Sequence, residues 1–71
     1  MIKKIAINSS TIKAIGYDPE IHELEIDFNK GTTYLYYDVP PNLFAGLAGS
    51  ASKGKYLNEH IAKVFEYDKI K

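Results

Sequence analysis

The stretch HELEIDFNKGTTYLYYD, residues 22–38, decides the fold. His22, Leu24, Ile26 and Phe28 alternate with Glu23, Glu25 and Asp27. Successive side chains of a strand point to opposite faces, so this pattern predicts one buried face and one wet, acidic face. Asn29, Lys30 and Gly31 interrupt the alternation. A two-residue turn at Lys30-Gly31 would force Lys30 to positive φ, which is costly for a residue with a side chain. A three-residue loop with Gly31 in the left-handed region avoids that cost. The register then follows: Phe28 faces Thr32, Ile26 pairs with Tyr34, and Leu24 pairs with Tyr36. Tyr34 and Tyr36 point into the core, while Leu35 and Tyr37 lie outside beside Glu25 and Glu23. A slip of one residue would invert every one of these placements.

Upstream, TIKAIGYD (residues 11–18) reads as a first strand. Ile15 and Tyr17 share a face, and Ile12 is out of phase with them, which predicts a bulge near Lys13. Asp18 and Pro19 then make a turn, because Pro19 presets φ and the Asp18 carboxylate can bond its own backbone. Downstream, Pro40 and Pro41 start a helix. A residue before proline avoids α geometry, so Pro40 is the predicted cap and Pro41 the first helical position. Leu43, Phe44, Leu47 and Ala48 form its apolar stripe, and Gly49 is a natural stop. SASKGK leads to a second helix with Ser52 as its expected cap. There Leu57, Ile61 and Val64 fall at i, i+4, i+7 and are predicted to face the core, with Phe65 widening the stripe. Tyr56, His60 and Lys63 share the flank. The tail EYDKIK is expected to be irregular. The predicted fold class is α+β: a three-stranded antiparallel β-meander followed by two helices packed on one face (β-β-β-α-α). One domain is expected over residues 1–71, with its core at about 9–67.

Composition narrows the function classes. Apolar residues make up 45% of the 71-residue chain and aromatics 13%, enough for a packed globule and too much for disorder. The absence of cysteine excludes disulfides and thiolate metal sites, and fits a reducing compartment. Formal net charge is zero, from 9 basic and 9 acidic residues, unlike a strongly basic nucleic-acid binder. The charge is nevertheless segregated. Asp18, Glu20, Glu23, Glu25 and Asp27 form an acidic block, Lys3, Lys4 and Lys13 a basic N-terminus, and Lys53, Lys55 and Lys63 a later basic region. No apolar run approaches the ~18 residues that span a bilayer. MIKKIAINSS lacks the apolar segment of a signal peptide. A cytoplasmic protein without a membrane partner is expected.

GSASKGKY, residues 49–56, matches the spacing of a phosphate loop as far as Lys55. Tyr56 stands where that loop needs a compact hydroxyl, and a helix precedes it instead of a strand. The segment therefore reads as a helix-helix connection. A weaker form of the same chemistry remains. Loop N–H groups, a helix start, Ser50, Ser52, Lys53, Gly54 and Lys55 suit an anion. Tyr56 and His60 are spaced to stack on bases, and Lys63 to add a phosphate contact. This patch suits the phosphates and bases of a nucleic acid. The open sheet face is acidic and would repel phosphate. It suits instead a protein partner or a second copy of the chain, through Leu35, Tyr37 and the edge of the third strand.

No catalytic residue, metal site or cofactor is expected. His22 and His60 are the only histidines and neither has metal-ligand spacing. His22 reads as a residue at the core margin. Ser50-x-Ser52-x-Gly54 misses the nucleophile elbow at its first glycine. Glu23, Glu25 and Asp27, alternating on a wet strand, serve solubility. The expectation is a non-catalytic binding module.

The order of SSTIKAIGYD, LEIDF, the G-x-x-YLY hairpin, VPP and SKGKYLNEHI, with Tyr34 and Tyr36 as a central Y-x-Y, resembles the KTSC domain family. The resemblance covers about Ser9 to Tyr67. That family is named for its occurrence at the C-terminus of some lysyl-tRNA synthetases and also occurs as short stand-alone bacterial proteins, which this chain resembles. The synthetase context implies RNA as a partner. The resemblance supplies no catalytic residues and does not imply aminoacylation.

Overall fold

A computed structural model describes residues 4–71; Lys3 of the basic N-terminal cluster lies outside the described residues. In chain order the elements are β1 (Lys4–Ala6), β2 (Ile12–Asp18), β3 (Glu23–Phe28), β4 (Thr33–Tyr36), α1 (Pro41–Gly49), a second helix α2 that begins at Lys53–Tyr56 and runs on through a π-helical turn at Leu57–Ile61, and β5 (Tyr67–Lys69). The strands form one antiparallel sheet in the order β1-β2-β3-β4-β5. The helices cover one face.

The central hairpin has the register its alternation predicts: Leu24 opposite Tyr36, and Ile26 opposite Tyr34. Gly31 sits at φ 103, and its N–H donates to the Phe28 carbonyl at 3.0 Å. The Phe28 N–H donates to the Thr32 carbonyl at 2.8 Å. The bulge lies between Ile12 and Ala14. It rotates Ile12 back in phase, so Ile12 and Ile15 are both fully buried. The Asp18 carboxylate accepts from the Glu20 N–H at 3.0 Å, closing the next turn. His22 belongs to that turn and not to the buried face of β3. It is exposed at φ 56, with its carbonyl accepting from the Val39 N–H at 2.9 Å.

The sheet has five strands, not the predicted three. β1 and β5 are three residues each with no buried position, so neither carries a readable alternation. They form because β2 and β4 would otherwise present open hydrogen-bonding edges. The tail expected to be irregular is thus an edge strand. The Tyr37 N–H also donates to the Glu66 carbonyl, and the Thr33 N–H to the Lys71 carbonyl, both at 2.9 Å. The edge of the third predicted strand is therefore covered, not free for a partner.

The core is Ile12, Ile15, Leu24, Ile26, Tyr36, Val39, Leu47, Leu57 and Ile61. Pro40 caps α1 and Pro41 opens it. Leu47 is buried, Leu43 and Phe44 are half-buried, and Ala48 is exposed. Phe44 stacks on Tyr17 with ring centroids 4.6 Å apart and planes 7° off parallel. The Tyr17 hydroxyl donates to the Val39 carbonyl. Gly49 ends the helix without turning left-handed. Ser50 follows in extended geometry, its N–H donating to the Leu47 carbonyl.

In α2 the Ala62 N–H donates to the Leu57 carbonyl at 2.8 Å, a bond spanning five residues. This wider turn corrects the predicted stripe. Leu57 and Ile61 are buried, but Val64 is 65% exposed, and Phe65 packs against the core. The extra residue in the turn moves the inward face on by one position, and the helix stops there.

Candidate nucleic-acid interface

Two loops that are distant in sequence meet at the start of α2. The first is Asn8–Thr11. The Ser9 hydroxyl accepts from the N–H groups of Thr11 and Ile12 at 3.2 and 3.3 Å. The Asn29 side chain donates to the Ser9 carbonyl at 2.7 Å, and the Asn29 N–H donates to the Thr11 carbonyl at 2.9 Å. The β3–β4 turn therefore holds this loop in place. The second loop is Ser50–Gly54. The Ser50 hydroxyl accepts from the Ser52 N–H at 3.1 Å, and the Lys53 ammonium donates to the Ser50 carbonyl at 2.9 Å. Ser52 occupies the cap position, but its hydroxyl caps nothing. A methyl group on Gly54 would stand 3.4 Å from the Thr11 hydroxyl oxygen, an ordinary van der Waals contact, so the two loops lie close together at this point.

Between the loops runs a polar groove of about 640 Å³, with Ser9, Ser10, Thr11, Ser52, Lys53 and Lys55 among its lining. Its carboxylate is Glu59, whose Oε1 lies 3.8 Å from the Lys55 ammonium. Both groups are more than half exposed, and such a pair contributes little. Lys55 is thus the more available cation, whereas Lys53 braces its own loop.

Of the predicted site residues, the fold brings Ser52, Lys53, Gly54 and Lys55 into this groove, whereas Tyr56, His60 and Lys63 do not line it. Tyr56 turns inward and lays its ring against the backbone of Gly46 in α1. His60 packs on Tyr56 with centroids 4.5 Å apart. Lys63 is exposed beyond the π turn. Sequence reasoning missed the contribution of Asn8–Thr11. The hydroxyl-rich run Ser9-Ser10-Thr11 was visible, but nothing local indicated which loop it would face.

A second groove, of about 440 Å³, adjoins the first. Its walls are Phe28, Tyr34, Tyr36 and Tyr67 on one side and Leu57, Asn58 and Ala62 on the other. Tyr34 stacks on Tyr67 at 4.8 Å and 20°, and meets Phe28 edge-on at 5.2 Å. Tyr36 is buried as predicted, and Tyr34 is half-buried at the groove wall. Burial, followed by the neighbouring phenols of Tyr67 and Tyr34, pushes the Tyr36 hydroxyl up to about 12.

The opposite sheet face carries the acidic residues. Lys4 crosses it to pair with Glu25 at 2.5 Å and Asp27 at 3.0 Å. The hydrogen bonds it donates to Glu25 and Asp27 raise the Lys4 ammonium above its ordinary value. The Tyr37 hydroxyl donates to the Asp68 carboxylate, and Leu35 pairs across from Asp68. Among the described residues no three potential ligands gather into a metal site, and no helix is long and apolar enough to cross a membrane.

A family model described as the KTSC domain matches residues 8–65. The chain superposes on the crystal structure of a KTSC domain protein from Yersinia pestis with a TM-score of 0.93 and 35% identity, over 100% of both chains. A protein from Tsukamurella paurometabola is 46% identical over 52 residues, which span 73% of this chain and 78% of that protein. A lysine–tRNA ligase from Nostoc punctiforme is 33% identical over 61 residues, which span 86% of this chain but 11% of the ligase.

Proposed function

The chain belongs to the KTSC domain family, and from that premise we propose that it is a small binding module for RNA, in the form of tRNA or a single strand. The observation that carries this reading is the polar groove itself. Ser10, Thr11, Ser52 and Lys55 line it from two braced loops. Such a lining suits phosphate oxygens, which accept from hydroxyl and ammonium donors. A related segment within a ligase named for lysine and tRNA supports the same ligand class. That ligase is about nine times longer than the matched segment, and its chemistry is no part of the proposal.

A protein partner or second copy at Leu35 and Tyr37 is the competing reading. It has less support, because the Tyr37 hydroxyl is engaged by Asp68 and β5 occupies the edge beside Leu35.

The test is an amide-shift titration of labelled protein with tRNA and with short single-stranded RNA, repeated for Lys55→Ala and for Lys53→Ala/Lys55→Ala. Shifts are expected at residues 8–11 and 50–59. Losing the Lys55 contact should weaken binding and lower the salt slope by about 0.7 for one phosphate on a single strand. Unchanged affinity in a folded double variant would reject the groove.

A further inference from the structure

The aromatic groove is not accounted for by phosphate binding, and its position is informative. Ser10, Thr11 and Asn58 line both grooves, so the two lie side by side along one surface. Resting on the RNA reading above, we propose that the aromatic groove receives a base of the bound strand, while the polar groove holds the adjoining phosphate.

Three features select a base as the occupant. The first is ring surface. Tyr67 stacks on Tyr34 and packs at a tilt on Tyr36, with centroids 5.3 Å apart, yet remains 48% exposed, so part of its surface is still open. A base has a π-face on either side and stacks on tyrosine whatever its identity. The second is polar groups at the wall. Of the six tyrosines, Tyr17 and Tyr37 have hydrogen-bonded hydroxyls. Among the described residues, those of Tyr34, Tyr36 and Tyr67, like that of Tyr56, have no such partner, and the Tyr36 hydroxyl is not sealed off although the residue is only 2% exposed. The exposed Asn58 adds an amide at the junction, with both donor and acceptor for a base edge. The third is charge. Lys30 lines this groove and no carboxylate does, in contrast to the opposite sheet face. A strand carrying phosphates meets no carboxylate in this groove, and the one in the adjoining polar groove, Glu59, lies beside the Lys55 ammonium. The volume also falls within the range of about 300–1,000 Å³ usual for small-ligand sites.

The Y-x-Y of β4 thereby acquires two roles. Tyr36 is a core residue whose hydroxyl reaches the groove, and Tyr34 is a groove wall. Tyr67, which the family match at residues 8–65 does not include, completes the wall from β5.

The test compares a fluorescently labelled ten-nucleotide RNA with a strand of the same length lacking bases, at one salt concentration, by anisotropy. Wild-type protein is expected to bind the RNA roughly five- to a hundredfold more tightly than the abasic strand, the range expected for one stacked base. Tyr67→Ala is expected to bring RNA down towards the abasic affinity while leaving abasic binding unchanged. An amide spectrum establishes that the variant is folded, and the wild-type comparison stands without it. Equal wild-type affinity for the two strands would overturn the base site and leave the phosphate groove standing. Failure to bind either strand would instead remove the RNA reading, and the base site with it.

Discussion

Gly46→Ala is expected to destabilise the protein although alanine is the better helix former. Gly46 lies inside α1, where the exchange alone would contribute about 1 kcal/mol of stability. The added methyl group, however, would overlap the Tyr56 hydroxyl and stand 2.7 Å from Cζ and 3.1 Å from Cε2 of that ring. The ring is half-buried and has His60 packed on it, so it cannot swing away without losing contacts. Overpacking of this kind costs about 1–3 kcal/mol. Subtracting the helix term leaves a net loss of up to about 2 kcal/mol, which lowers Tm by several degrees in a domain of this size. Tyr56→Ala removes the obstacle, so in that background Gly46→Ala should become stabilising by about 1 kcal/mol. The assay is urea and thermal unfolding of the four proteins in a double-mutant cycle. A coupling below about 0.5 kcal/mol would mean independent sites and would refute the placement of Tyr56 against α1. The result also bears on function, because a ring held against α1 is not free to stack on a base.

The π turn makes a simpler prediction: Val64→Ala should change stability by less than about 0.5 kcal/mol, whereas Ile61→Ala should cost about 2–5 kcal/mol. A large loss at Val64 in denaturant unfolding would restore the uninterrupted α-helical stripe. Tyr36, raised to about 12 by burial and by the Tyr67 and Tyr34 phenols, predicts an alkaline transition. Its folded pKa lies above the ordinary 10.0, so its contribution is fully present below pH 10 and is lost as pH rises through 12. Burial also raises Tyr17, and its bond to Asp68 raises Tyr37, so phenolate absorbance should show several tyrosines titrating late, and Tyr36→Phe should remove the step near pH 12.

Much of the fold was legible because its decisive information is local. Leu24, Ile26 and Phe28 alternate with acids, Gly31 closes the only inexpensive turn, and Ile12 stands one residue out of phase. Each is a short-range constraint, and together they set register, bulge and the buried side of Tyr36. Pro40 and Pro41 mark the helix start in the same way. The candidate site was legible only in part. SKGK is visible as a polar loop with two cations, but the helical spacing of Tyr56 and His60 indicates only that they share a flank and not what that flank meets.

The amino-acid order by itself determined the central meander, the helix starts and most of their inward faces, since these depend on residues within a few positions of each other. The tertiary structure alone decided the rest: the two outer strands, the wide turn that exposes Val64, and the meeting of Asn8–Thr11 with Ser50–Gly54. Three-residue strands have too few positions to show a period, and they form only when a neighbouring edge is already in place to pair with them. A surface built from loops some forty residues apart likewise exists only once the core has brought them together, which is why its hydroxyls, lysines and aromatic wall appear in the folded protein and not in any one stretch of its sequence.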